Sequence, residues 1–444
     1  MEKIEITKGH DIRISGIPNS ESYTHIMPKK ISISPKSFRN VKPKLLVAEG
    51  EVVKIGSPLF YDKTKTKVRF ASPAAGKIAN IKFGPRRVIE NIEIEIDGSE
   101  ALKNDSLQGK ELSSLKRDEA LQFILKSNLF HFFRERPFNQ IPNPDKIPRD
   151  IFISGYNTAP LSVDLVRLIR DNHKVFQKGL SLVSKLTGGK TFFSSKEKFN
   201  FKDVENILIN GPHPAGNIGI QVHHIKPLKP NEFIWTINAQ HVLTLGKLFE
   251  KGIYDPEIIV SIGGSGAIAP YTAKTISGAP ISSLIENQNL NKKNIRIVSG
   301  DVLTGKNVSE EGYIDFYDST LSLINDNVDR PFLGMLSIGS SSTKYSLTRV
   351  FFNMKEVLFN FTTAQNGELR PIVPLNTWEK VLPMDIFPNE LYRAILAKDI
   401  DEMEKLGIWE CDDEDFALCS FSCPSKIDVG EVIRDGLDLI YLEG

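Results

Sequence analysis

The chain has 444 residues, and its 56 basic and 55 acidic side chains leave a net charge of +1. Balanced charge without a basic stripe argues against nucleic acid as the main partner, because neutralising phosphates needs a local excess of Lys and Arg. Three cysteines, all between residues 411 and 423, build no disulfide framework and fit a reducing compartment. At ~150 residues per domain the length implies about three domains. The start, MEKIEITKGHDIRISG, is charged throughout and lacks a signal peptide's apolar core, and no run of ~18 apolar residues offers a membrane span. The chain therefore reads as cytoplasmic, reaching a membrane only through a partner.

In chain order, Ile4, Ile6, Ile12 and Ile14 alternate around Gly9 and Gly16, and Pro18, Pro28, Pro35 and Pro43 follow; short strands and loops are expected to wrap the next stretch. That stretch is VAEGEVVKIGSPLF (47–60) with VRFASPAAGKIANI (68–81), in which Gly50, Gly56, Pro58, Pro73 and Gly76 punctuate short apolar strands. It resembles a biotinyl/lipoyl-type barrel-sandwich domain. Carriers of that fold display a modified lysine between the two halves, and Lys65 stands near the equivalent place. Its flanks, Thr64 and Thr66, match neither modification motif, so an unmodified domain over 1–100 is expected, with a carrier modified on Lys65 as an alternative. ENIEIEID (90–97) reads as its closing strand, Ile92, Ile94 and Ile96 inward.

From Ala101 to Phe133 the spacing turns helical, with Leu121, Ile124, Leu125, Leu129 and Phe132 on one face. Pro137, Pro142, Pro144 and Pro148 then predict a stiff linker, so 101–150 is read as a connecting helix and a Pro-rich linker. Arg134 and Arg136 are read as a solvated helix end, with binding of an acidic group as the alternative.

Residues 151–255 alternate strand and helix patterns and resemble a Rossmann-like α/β unit. Dinucleotide binding is disfavoured: Gly155 is followed by Tyr156 and Asn157, and Gly211 by Pro212, which has no N–H to offer a pyrophosphate. His213, His223, His224 and His241 cluster in this region without zinc-ligand spacing. Structural histidines, a hydrogen-bonding role toward an interface or a quinone, and a metal site stay open for them.

Residues 256–330 have a β-grasp order, with strands at 258–262, 271–276 and 295–298 and a short helix at 281–287. The Gly263–Gly266 turn lacks the Gly-Lys-Ser/Thr of a phosphate loop and reads as a plain turn. Residues 331–385 look β-rich through Tyr345, Leu347, Phe351, Phe352, Val357, Phe359 and Phe361, and 386–444 look helical. Asp399 with Glu402 suits a helix start and Gly407 its end. Cys411, Cys419 and Cys423 before Pro424 resemble the Cys-Pro close of a ferredoxin-like segment. A cubane cluster needs four closely spaced thiolates, so a cluster domain without its metal is expected.

The whole chain reads as multidomain α/β plus β with a helical C-terminal domain. ITKGHDI (6–12), FASPAAGKI (70–78), RPF (136–138), NGPHPAG (210–216), GKLFEKGIY (246–254), VSGDVLTG (298–305) and EDFALCSFSCPSK (414–426), in this order, resemble the NqrA family of the bacterial sodium-translocating NADH:quinone reductases. The layout is more distantly similar to the RnfC component of the Rnf complex and to the NADH-binding subunit of complex I. The resemblance implies a peripheral subunit on the cytoplasmic face of the bacterial inner membrane, with NqrB to NqrF as partners and the membrane-embedded NqrB as its chief dock. It implies ubiquinone as substrate, with NAD, flavins and iron–sulfur in other subunits and neither cofactor, metal nor catalytic residue here. The rival expectation is an electron-input subunit holding flavin or an iron–sulfur cluster. An apolar headgroup slot needs one or two donors, and His213, on a rigid Pro-His-Pro loop, is the quinone-facing candidate.

Overall fold

Alternating isoleucines build the first layers. Strands Lys30–Ile33, Ile89–Ile96, Gly76–Phe83 and Val52–Val53 form an antiparallel four-stranded sheet in that order, and Pro43–Leu45, Pro58–Asp62 and Lys65–Ala71 a three-stranded one. Ile92 and Ile94 pair across the ladder with Ile33 and Ile31. All four are buried, and the cluster they form includes Leu59, Phe60, Val68 and Phe70 of the second sheet. This is the β sandwich expected of the Gly/Pro-punctuated stretch. The computed structural model describes residues 2–288, 294–326, 345, 347, 357–373 and 375–443.

A six-stranded sheet forms the second layer, in the order Glu2–Glu5, Glu205–Asn210, Thr191–Ser195, Ile151–Ser154, Ile234–Asn238, Phe133–Arg136. Neighbours pair in parallel except the last strand, which is antiparallel. Helices Leu165–Asp171, His173–Ser184, Ile218–Ile225 and Ala239–Lys251 lie in the connections and after the last parallel strand. Two expectations fail here. The N-terminal segment does not simply wrap the sandwich, because residues 2–5 extend this sheet alongside 205–210. The region 101–150 is not a helix and a linker: the helix is Arg117–Lys126, and Asn128 at φ 57° lies just beyond its end. Leu129 to Phe133 are buried whichever way they point, so their spacing carries no helical information. Phe133–Arg136 then pairs with Ile234–Asn238, and the four prolines that follow are buried against the domain.

The third sheet runs Lys306–Val308, Ile295–Ser299, Thr320–Asn325, Glu257–Gly263, Tyr271–Ile276, Asn19–His25. Helix Ile281–Ile285 buries Ile281, Leu284 and Ile285 in the same cluster as Val260, Ile262 and Leu323. Most of 331–385 lies outside the described residues, Phe351 and Phe352 included. From Thr377 the chain is helical: Thr377–Val381, Pro388–Ala397, Ile400–Lys405, Asp413–Ser422 and Val429–Glu443. The Asp399 carboxylate accepts the Glu402 N–H at 3.1 Å, and Gly407 follows that helix at φ 87°, as its capping residues foretold. Ile6, Ile12, Ile14 and Ile209 share one core with these C-terminal helices.

Candidate functional site

The loop that leaves strand Glu205–Asn210 brings three distant segments together. Residues 6–12 run beside it, with Ile6 N–H on Asn210 O at 2.8 Å and His10 N–H on His213 O at 2.7 Å. The His213 N–H donates to Asp11 Oδ1 at 2.8 Å. Gly9, at φ 130°, permits this approach, since a Cβ there would strike the His213 carbonyl oxygen. Thr158 Oγ1 lies 3.1 Å from His213 Nδ1 and accepts the Gly216 N–H at 2.9 Å. His213 is 3% exposed. Burial pushes its imidazole below the usual histidine value, while Asp301 and Asp11 pull the other way. Portions of ITKGHDI, NGPHPAG and VSGDVLTG thus act on one ring.

Beside this junction lies a cleft of about 330 Å³. Its apolar lining is Ile12, Ile14, Ile17, Pro18, Ala159, Leu161 and Leu358; Arg13, Ser20, Ser162, Asp164 and Thr272 add polar groups. Ser261 Oγ holds the Leu161 carbonyl at 2.6 Å, and Thr272 Oγ1 holds the Asn19 carbonyl at 2.7 Å. Residues 159–164 follow strand Ile151–Ser154, whose neighbours are Thr191–Ser195 on one side and Ile234–Asn238 on the other. At such a reversal of strand order the loops part, and a crevice opens outside the carboxyl ends of the strands. His213 does not line the cleft. It lies behind two of its walls, since Asp11 adjoins Ile12 and Thr158 adjoins Ala159.

The other histidines have different settings. His223 Nδ1 meets Glu410 Oε2 at 2.8 Å and its Nε2 accepts the Asp385 N–H at 3.1 Å, while His224 Nε2 donates to Pro383 O at 2.8 Å. Both fasten the C-terminal helices to the α/β layer. His241 stacks on Phe132, ring centroids 4.2 Å apart, in an aromatic cluster that also holds His131, Phe316 and Tyr317. Burial pushes both His131 and His241 down to about 3.

Arg136 overturns the expectation of a solvated helix end. It closes a strand, is 3% exposed, and lies 3.1 Å from both Asp412 Oδ2 and Asp415 Oδ2, with Glu414 a third partner. Arg134 instead lies 3.8 Å over the Tyr317 ring. The three cysteines are buried. The Cys411 thiol faces Gly407 O at 3.6 Å and that of Cys419 faces Trp378 O at 3.9 Å, and burial pushes both thiols up, away from the thiolate that binds metal. Among the described residues no group of three or more His, Cys, Asp or Glu could hold a metal ion. Lys65 is half-buried, its ammonium donating to Ile141 O at 2.5 Å.

Residues 4–97 match the NqrA N-terminal barrel-sandwich hybrid domain, 115–254 the NqrA second alpha/beta domain, and 259–310 the NQRA C-terminal domain. The NqrA of Marinomonas, the A component of a Na(+)-translocating NADH-quinone reductase, is 33% identical over 99% of this chain and 100% of its own. The chain belongs to the NqrA family. Members of the same name in Hahella chejuensis and Pasteurella multocida are 34% and 35% identical, again over 99% of this chain and 100% of theirs. As an NqrA the chain is part of a translocase complex. Of solved structures, an NAD+-reducing [NiFe]-hydrogenase matches 48% of this chain and 50% of its own at 7% identity and a TM-score of 0.34, too slight a likeness to carry an argument. No helix among the described residues is long and apolar enough to cross a membrane.

Sequence reasoning placed His213 on its rigid loop but missed Asp11, Thr158 and the cleft-lining Leu161. A signal existed for Asp11, which lies inside ITKGHDI. Thr158 and Leu161 carry none, because they act through segments far away in sequence.

Proposed function

We propose that the chain serves the quinone end of the Na(+)-translocating reductase, with the cleft between residues 12–20 and 159–164 receiving the ubiquinone headgroup. The cleft carries this reading. Its volume falls within the ~300–1,000 Å³ of small-molecule pockets, and a mostly apolar lining with a few polar groups suits a quinone ring. A quinone offers two carbonyl acceptors, so the useful partners are donors. Arg13, whose guanidinium lies 5.8 Å over the Phe359 ring, lines the cleft together with Ser20 and Ser162, and the Thr272 hydroxyl proton is committed to Asn19 O. His213 acts on the headgroup from behind, by fixing the walls that carry Ile12 and Ala159.

In this reading the chain is a peripheral subunit on the cytoplasmic face of the inner membrane, docked on the membrane-embedded NqrB. NAD, flavins and iron–sulfur belong to other subunits, and this chain binds none of them. The Rossmann-like assignment of the α/β layer is supported by its central strand order, in which the third, second, first and fourth parallel strands after residue 150 lie side by side. The β-grasp assignment of the third sheet is supported by helix Ile281–Ile285 packing on it.

Calorimetric titration of the purified chain with a short-tailed ubiquinone tests the reading. Binding by the wild type and its loss in Ala159→Trp, with the fold intact, is expected. Equal binding by both, or flavin or iron near one per chain, would overturn it.

A further inference from the structure

The acidic run at the start of helix Asp413–Ser422 is joined to the loop behind the cleft. Asp412, Asp413, Glu414 and Asp415 meet Arg136 from strand Phe133–Arg136 and Arg434 from helix Val429–Glu443. Arg39 adds contacts at 3.6 Å to Asp413 and to Asp438. Three cations thus face five carboxylates, and Asp412 and Asp415 are fully buried. Partial neutralisation is the consequence: burial pushes Asp415 up to about 7 against the pull of Arg136.

From this cluster two contacts reach the loop. Asn217 Nδ2 donates to Glu414 O at 2.9 Å. The Asp415 carboxylate lies where a Cβ of Gly219 would stand, so helix Ile218–Ile225 begins against it. Inside the loop, Asn217 N–H bonds Pro214 O at 2.8 Å and Gly216 N–H bonds Thr158 Oγ1 at 2.9 Å. Thr158 precedes Ala159 of the cleft wall and holds His213 Nδ1.

We propose that Arg136 is a positioning residue for the cleft: by clamping Asp415 and Glu414 it fixes the 211–219 loop and hence the Thr158–Ala159 wall. The C-terminal helices then tune quinone affinity without touching quinone. This rests on the cleft being the quinone site, and the test separates the two.

In the assembled reductase, Arg136→Gln is expected to raise the KM for ubiquinone about tenfold with kcat within about twofold, the size of coupling carried by such contact networks. Arg136→Lys, which keeps the charge and loses the fork, should recover part of that. In the full chain, NMR titration of His213 should move up toward the ordinary histidine value, about 6.5, in Arg136→Gln as the loop loosens. If Arg136→Gln does not fold, the charge-balanced pair Arg136→Gln with Asp415→Asn takes its place. An unchanged KM and an unchanged His213 titration, in a variant whose C-terminal helices alone melt earlier, would make Arg136 merely structural and overturn the proposal. Ala159→Trp marks the other failure: if it leaves KM unchanged the cleft reading falls, whereas if it raises KM while Arg136→Gln is silent, only the clamp falls.

Discussion

Replacing His241 with Phe is expected to flatten part of the acid sensitivity of the α/β layer. His241 is buried between Phe132 and Phe316, and burial lowers it to about 3. In the unfolded chain it titrates near ~6.5. The folded value lies below the unfolded one, so its contribution is fully present above about pH 6.5 and is lost as pH falls toward 3. The slope is about 1.4 kcal/mol per pH unit, which gives a loss of about 1.4 kcal/mol at pH 5.5 and about 2.7 kcal/mol at pH 4.5. Phenylalanine keeps the stacked ring and removes the titration. Asp415 titrates alike in both proteins and cancels in the difference, and His131, whose charge would act on His241, stays neutral in the fold over the same range. Hydrogen exchange of strand Ile234–Asn238 and helix Ala239–Lys251, read from pH 7.5 to 4.5, isolates the local free energy. The variant should gain on the wild type progressively below pH 6.5. Parallel curves would show that the His241 imidazole is not held neutral, and would refute the burial argument.

Asp415→Asn should act in the opposite sense. Its folded value, about 7, lies above the unfolded one, so the wild type loses stability as pH rises from about 4 to 7, and thermal melts of the asparagine variant should lack that slope. Gly219→Ala drives a methyl into the Asp415 carboxylate and should cost about 1–3 kcal/mol, read as earlier melting of the C-terminal helices. The buried Cys411, Cys419 and Cys423 should react with a thiol reagent only on unfolding, all three then becoming titratable at once.

The sandwich was legible because its signals are local. Isoleucines at every second position and Gly/Pro at the turns act within a few residues, and the structure turns where they say. Strand Phe133–Arg136 was not, since the buried run Leu129–Phe133 that leads into it has no period to read. Arg136 looked solvated because its carboxylate partners stand about 280 residues further on, a distance across which sequence spacing is silent. The cleft was hidden for the same reason: its walls come from the N-terminal segment, the loop after Ser154 and the third sheet. His213 could be singled out because two prolines stiffen its loop, but prolines do not say which way a ring faces. The His213 N–H meets Asp11 and its ring meets Thr158, behind the residues that line the cleft.

The most direct measurement is photo-crosslinking of the assembled reductase with an azido-ubiquinone, followed by mapping of the labelled peptides. Label on residues 12–20 and 159–164, competed away by unmodified ubiquinone and absent in Ala159→Trp, is the expected result. Label confined to other subunits, or on this chain but away from the cleft, would contradict a quinone role for this site.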